Sequence, residues 1–300
     1  MGHVAGAKTK IKPEIADDKL GCKQIERVWV MEKQKLRIIH NMARSGSTII
    51  CRCLGCMEGV VLLSELHPLA WKLFNPIDQA QDWFGLFAPG DIDEMKKLKD
   101  VSYTQVITLI EQRCRERGET LVLRDWAHLD YTGFPFMDTP EYRPMLYTEL
   151  AGSFDIVRIS ITRDPVAQWQ SLIQLEVMQD SLNSGAFGID QFLAGYRKFA
   201  DLCIETGFIR YEDFLHNPDS ELRKLCEHLQ IEFDPDFANK WFDYNTITGY
   251  VPDPERLPHH SSKIQPPSSK PVEPDLKNKF LANSDYRSAC ELLGYGLLEK

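Results

Sequence analysis

Arg44, Ser45, Gly46, Ser47 and Thr48 stand in a row between one apolar run ending at His40 and another beginning at Ile49. A guanidinium, three hydroxyls and a glycine in five positions have the makings of an anion cradle. With a strand before the row and a helix after it, the first N–H groups of the helix point at the ligand. The helix dipole also favours negative charge there. Gly46 lets the backbone curl without a Cβ clash. The expected ligand is a phosphate or a sulfate. The magnesium-nucleotide loop pattern needs a lysine after its last glycine and another glycine five residues earlier. Here Ser47 follows Gly46, and Asn41 holds the earlier place. No acidic residue closes a strand in the way that would hold magnesium, so arginine, hydroxyls and backbone must do the work alone.

Other polar clusters also follow apolar runs. Ser64-Glu65-Leu66-His67-Pro68 comes after 60–63, and Arg124-Asp125-Trp126-Ala127-His128 after 120–123. Arg163-Asp164-Pro165 breaks the run 154–162, and Arg210-Tyr211-Glu212-Asp213 ends the run that starts at Gly207. The elements that must position them alternate. The pattern predicts strands over 36–40, 60–63, 120–123, 154–162 and 207–211. Helices are predicted over 48–58, 101–117, from about 166, 189–205, 219–229 and 274–293. Strands alternating with helices imply an α/β domain with a mostly parallel central sheet flanked by helices, and ligands bind beyond the carboxyl ends of such strands.

Bulk properties narrow the partners. The net charge of −9 argues against broad binding to nucleic acid or an anionic membrane, so an anion site must be a local basic pocket. Residues 1–19 have no secretory h-region, and no run approaches the roughly 18 apolar residues of a membrane span. Eight cysteines in 300 residues are too sparse for a disulfide scaffold. The reading is a soluble, cytoplasmic protein. An N-terminal extension, 1–34, precedes one domain over 35–300. That domain includes an aromatic segment at 69–100 and a Pro/Ser-rich loop at 250–271.

The strand–Arg-Ser-Gly-Ser-Thr–helix unit resembles the 5′-phosphosulfate loop of sulfotransferases that use 3′-phosphoadenylyl sulfate (PAPS), with Ala43 where that family usually has proline. Arg163 and Ser171, eight residues apart, resemble the family's 3′-phosphate pair. Arg210-Tyr211-Glu212-Asp213 is similar to its strand end near the adenine. The three motifs occur in family order across 36–230.

The resemblance implies a P-loop-like fold and in-line transfer of a sulfuryl group from PAPS to a hydroxyl or amine of a small-molecule or carrier-bound acceptor, without a metal. It assigns Arg44, Ser45, Gly46, Ser47 and Thr48 to the departing phosphate, Arg163 and Ser171 to the 3′-phosphate, and Tyr211 to the adenine end. Lys263, in His259-His260-Ser261-Ser262-Lys263, stands where relatives carry a basic loop, without the usual Arg-Lys-Gly form. The acceptor must lose a proton to a general base. Glu65 matches the catalytic glutamate of several bacterial and Golgi-type relatives. His128 lies near the histidine of cytosolic relatives, in a register where Trp126 aligns almost as well. His67 and Asp125 remain alternatives.

Two further signals carry less. Cys51, Cys53 and Cys56 lie on one predicted helix without a second pair to complete four ligands, so they read as buried thiols. Trp71, Phe74, Trp83, Phe84 and Phe87 are spaced for either a core or an acceptor-site lid. Other classes left open are an atypical small-molecule kinase and a non-catalytic nucleotide-binding protein.

Overall fold

A computed structural model of the chain describes residues 33–88, 90–92, 101–134, 137, 139–249, 264 and 271–299. Its centre is a sheet of five strands, all parallel: β1 (Gln34–Asn41), β2 (Val60–Leu66), β3 (Thr120–Asp125), β4 (Phe154–Thr162) and β5 (Phe208–Arg210). Their order is β2-β3-β1-β4-β5. The central strands are apolar on both faces, as a sheet covered on both sides requires. Alternation decides which layer each side chain joins. Ile39 and Val122 enter the layer with Ile50, Leu54 and Leu225, whereas Ile38 and Leu123 enter the opposite layer with Tyr103, Ile107 and Ile110. The chain leaves β1 towards β2 and β3 on one side, then crosses to β4 and β5 on the other. β1 is therefore the switch point, and in sheets of this kind the crevice that takes a ligand lies beyond the carboxyl ends at such a point.

The helices follow from local signals. α1 (Ser47–Gly55) starts directly after Gly46, and α2 (Pro76–Phe84) is capped by Asn75, whose side chain accepts the Ile77 N–H. α3 (Tyr103–Glu116) carries a reciprocal capping box between Ser102 and Gln105. It buries Tyr103, Val106, Ile107, Ile110 and Cys114, one face of a helix. α4 (Ala127–Thr132) and α5 (Met145–Leu150) lead to β4, and α6 (Pro165–Leu172) leaves it with Asp164 as cap and Pro165 in its first turn. Beyond α7 (Gln179–Ser184), the long α8 (Ile189–Thr206) buries Phe192, Tyr196 and Phe199 against Tyr286 and Cys290 of the C-terminal helix. No helix among the described residues is long and apolar enough to cross a membrane.

The expected α/β architecture is the one observed, with differences at several ends. β2 runs on through Glu65 to Leu66, past the expected end at 63. Tyr211 does not end β5 but opens α9 (Tyr211–His216), ahead of α10 (Pro218–Leu229). The single helix expected over 274–293 is two, α11 (Pro274–Ala282) and α12 (Ser284–Leu293). Asn283 is extended there, and its side chain accepts the N–H groups of Asp285 and Tyr286. An asparagine that caps the second helix cannot also continue the first. Cys51 and Cys53 are buried in the α1 layer, and burial pushes the Cys51 thiol up to about 11. Residues 1–32, 93–100 and Lys263 lie outside the described residues, as does most of 250–271.

Candidate functional site

The Arg44–Thr48 row is the link between β1 and α1. Arg44 and Gly46 both take positive φ, 64° and 82°. Two left-handed residues turn the chain sharply from β1 into α1, and the Ser45 N–H between them donates back to the Met42 carbonyl at 3.3 Å. Gly46 is required for a second reason: a Cβ there would strike the Tyr211 ring. Gln168 of α6 donates to the Ala43 carbonyl at 2.7 Å and holds the start of the loop.

Arg163, just beyond β4, donates to the Arg44 carbonyl at 3.1 Å, and its guanidinium lies 5.1 Å from the centre of the Tyr211 ring. Arg44 Nε donates to Ser171 Oγ at 2.9 Å. The four positions expected to act on separate parts of one ligand thus form one constellation at the ends of β1, β4 and β5. Partial desolvation, and next the neighbouring Arg163 charge, lower the Arg44 pKa from the ordinary arginine value. Among the described residues no carboxylate lies within ion-pair distance of either guanidinium. Ser45 Oγ and Arg163 Nε are buried there without a hydrogen-bond partner. Of the Arg210–Asp213 motif only Tyr211 faces the loop. Arg210 is clamped to Asp213 at 2.7 Å and to the Gly294 carbonyl at 2.7 Å, while Glu212 accepts the Asp164 N–H at 3.0 Å.

On the β3 side of the loop, in direct contact with it, stands a residue whose contacts the sequence did not disclose. Arg124, at the end of β3, is buried, yet donates in several directions. It reaches Ser47 Oγ at 3.0 Å, Thr48 Oγ1 at 3.3 Å, Ser64 Oγ at 3.0 Å, Asn41 Oδ1 at 3.3 Å and the Thr248 carbonyl at 3.2 Å. Its guanidinium is 3.8 Å from Glu65 Oε1. The available signal was an arginine directly after the apolar Leu121-Val122-Leu123 run, where a solvated charge is out of place. The segment 241–249 was missed as well. Arg52 of α1 holds its Phe242 and Tyr244 carbonyls at 2.6 and 2.7 Å, and Gly249 ends beside Glu65 and Thr48.

Glu65 keeps 19% of its side chain exposed between buried neighbours. Its φ is 54°, and the β2–β3 register shifts between Leu63 and Leu66. A non-glycine residue in that region is strained, and such residues collect at functional sites. The other candidate bases are placed differently. His128 is buried in α4, touches Thr132 Oγ1 at 3.2 Å through Nε2, and burial pulls its pKa to about 4. None of its hydrogen bonds reaches the loop, Arg124 or Glu65. His67 accepts the Leu69 N–H at Nδ1 (3.1 Å) and meets Asp130 through Nε2 at 3.0 Å, so both nitrogens are committed. Asp125 pairs with His40 at 2.5 Å, both fully buried. Trp126 stacks edge-on against Phe74, with ring centres 5.3 Å apart. Trp71 meets Tyr103 likewise, and Phe87 is core, while Leu69 and Leu73 are exposed.

No protein-family model matches the chain, and no curated protein matches it in sequence. Solved structures do match in shape. The sulfotransferase domain from the curacin biosynthetic pathway is similar with a TM-score of 0.60 at 18% identity, over 89% of this chain and 100% of that one. The sulfotransferase domain from the Synechococcus PCC 7002 olefin synthase gives 0.60 and 18%, over 92% of this chain and 100% of that one. The chain has the α/β fold of these sulfotransferase domains.

Proposed function

We propose that this protein transfers a sulfuryl group from PAPS to a hydroxyl or amine of a small-molecule or carrier-bound acceptor. The observation that carries the proposal is the Arg44–Arg163 pair. One guanidinium donates to the Ser171 hydroxyl and the other to the Arg44 carbonyl beside the Tyr211 ring, with no neutralising carboxylate within ion-pair distance among the described residues. Like charges so placed call for an anion between them. The buried, unpartnered Ser45 Oγ and Arg163 Nε supply hydrogen-bonding groups that such an anion would satisfy. A nucleotide with phosphate groups at both ends of its ribose suits the set. Arg44, Ser45, Ser47, Thr48 and the first N–H groups of α1 would hold the 5′ end. Arg163 and Ser171 would hold the 3′-phosphate, with Tyr211 beside the nucleotide.

The chemistry asks little proton donation of the loop. An arginine does not deprotonate in proteins, but a departing phosphate is a weak base and needs charge neutralisation more than a proton. Arg124 would keep the Ser47 and Thr48 hydroxyls aimed while standing beside the crevice. Glu65 would take the acceptor's proton as the new bond from sulfur to the acceptor oxygen or nitrogen forms and the S–O bond to the phosphate breaks, its electron pair leaving on the phosphate oxygen. The exposed Leu69 and Leu73, in the same segment as Trp71 and Phe74, would form the acceptor side.

The test is incubation with PAPS and a panel of phenols, alcohols and amines, followed by chromatography for adenosine 3′,5′-bisphosphate (PAP) and mass spectrometry for a product heavier by one SO₃. Transfer to at least one acceptor, sharply reduced in Glu65→Ala, is expected. Transfer of a phosphoryl group from ATP instead would replace the reading with a kinase. PAP binding without turnover across the panel would favour a non-catalytic protein.

A further inference from the structure

β2 is an edge strand, so one row of its N–H and C=O groups faces no other strand. At Ser64 that row is satisfied from outside the sheet. The Ser64 N–H donates to Gln79 Oε1 at 2.7 Å, and Gln79 Nε2 donates to the Ser64 carbonyl at 2.8 Å. One carboxamide thereby does for one residue what a neighbouring strand would do. Gln79 is buried and comes from α2, which belongs to the aromatic segment rather than to the sheet.

The place where this happens is informative. Leu63 pairs with Leu123 and Leu66 with Asp125, so Ser64 and Glu65 together stand opposite Arg124 alone. That is a bulge, which re-aims a side chain and weakens the ladder at the same point. Glu65, the second residue of the bulge, is the one with φ 54°. A strained residue persists only where its surroundings over-determine it. Ser64 is fixed through its Oγ by Arg124 at 3.0 Å and Thr248 at 2.7 Å, and through its backbone by Gln79. At neutral charge a carboxamide offers a donor and an acceptor side by side for this task. A carboxylate only accepts, and a thioether does neither usefully.

We propose that Gln79 is the positioning residue for Glu65: by pairing both backbone groups of Ser64 it holds the bulge that aims the Glu65 carboxylate into the crevice. This rests on reading Glu65 as the base. It also ties the acceptor-side segment to the base, because moving α2 moves Gln79.

The test uses the full chain with Gln79→Glu and Gln79→Met. Gln79→Glu keeps the size and the bond from the Ser64 N–H, so it remains folded if Gln79→Met does not. Turnover is read as PAP formation from PAPS, with an acceptor from the panel or with water in its place. Binding is read as the thermal shift given by PAP. Both variants should lose about 10–100-fold in kcat, the scale of a small misplacement of a catalytic group. KM for PAPS and the PAP shift should stay within about twofold. Hydrogen exchange at the Ser64 amide should speed up in Gln79→Met. On a Glu65→Ala background, Gln79→Met should cost no further turnover, since residues acting as one unit do not add. Unchanged kcat in Gln79→Met, or a full additional loss on the Glu65→Ala background, would overturn the proposal. Failure of PAP to stabilise the wild type would overturn the donor reading itself and this proposal with it, a result distinct from either of those.

Discussion

The two walls of the crevice are built in opposite ways. On the wall proposed to hold the donor, Arg44 is exposed and Arg163 half-buried, and each is tied by single bonds to a hydroxyl or a carbonyl. Their charges add rather than cancel, and Ser45 Oγ is left without a partner. On the facing wall Arg124 is buried and shared among Asn41, Ser47, Thr48, Ser64 and Thr248, with Glu65 close by. Ser64 is held from both its side chain and its backbone. The first wall is under-paired, and on the proposed function an anion completes it. The second is over-determined, which is what keeps one carboxylate in a strained conformation. A ligand should therefore stabilise the first wall, while substitutions should damage chemistry most at the second.

The largest effect is expected at Glu65. Glu65→Gln should cut transfer about 10²–10⁴-fold, the usual scale for removing a general base, while leaving PAP binding in place. Equal loss of PAP binding would erase the distinction between the walls.

His128 sharpens the comparison from outside both walls. Burial holds its native pKa near 4, below the ordinary histidine value of about 6.5. Below pH 6.5 the unfolded chain takes up a proton that the native state refuses, so stability falls as pH drops towards 4. The loss approaches roughly 3 kcal/mol for such a difference. His128→Gln should flatten that slope in denaturant titrations between pH 6.5 and 4, and should spare turnover far more than Glu65→Gln does. A collapse of turnover equal to that of Glu65→Gln would move the base to His128.

Arg163→Ala tests the under-paired wall. Losing a charge-assisted hydrogen bond of about 1.5–3 kcal/mol should weaken PAP about 10–100-fold. Titration calorimetry should show 5′-AMP, which lacks the 3′-phosphate, nearly unaffected. Equal weakening of both nucleotides would break the assignment of Arg163 to the 3′ end.

The smallest effect separates strain from occlusion. Gly249 and Gly59 have nearly the same positive φ, 72° and 74°. A Cβ on Gly249 would lie 3.2 Å from Glu65 Oε1 and 3.6 Å from Thr48 Oγ1, whereas one on Gly59 meets nothing within 4 Å. Both alanine variants should lose a similar melting temperature, reflecting a left-handed penalty of about 1–2 kcal/mol. Only Gly249→Ala should also slow transfer, by a few-fold.

Each motif of the Arg44–Arg163 wall was legible in the sequence because its own residues are local, whereas the bonds that join the motifs span 119 and 127 positions and were expected only from the family resemblance. Arg44–Thr48 and Arg163-Asp164-Pro165 each follow a strand within a few positions, and a turn's chemistry is written in consecutive residues. The helices with clear caps, such as the one behind Ser102, were legible for the same reason. The second wall was not, because its bonds join distant parts of the chain. Nothing near Arg124 in sequence announces Ser47 or Thr248, and nothing near Gln79 announces that its amide closes the β2 edge at Ser64. The bulge at Glu65 was invisible too, since a register shift depends on the partner strand. Tyr211 was expected at a strand end and opens a helix instead, yet it reaches the loop either way, because both conformations start from the same end of β5.

The central claim is that the under-paired wall is built for a nucleotide phosphorylated at 3′ as well as 5′, and its most direct test is a thermal-shift comparison of PAP, ADP and ATP–magnesium on the wild-type chain. At about 100 times its dissociation constant a ligand should add about 2.7 kcal/mol of stability. PAP is predicted to raise the melting temperature well above either of the others, with no dependence on magnesium. A larger shift from ATP–magnesium than from PAP would contradict the account.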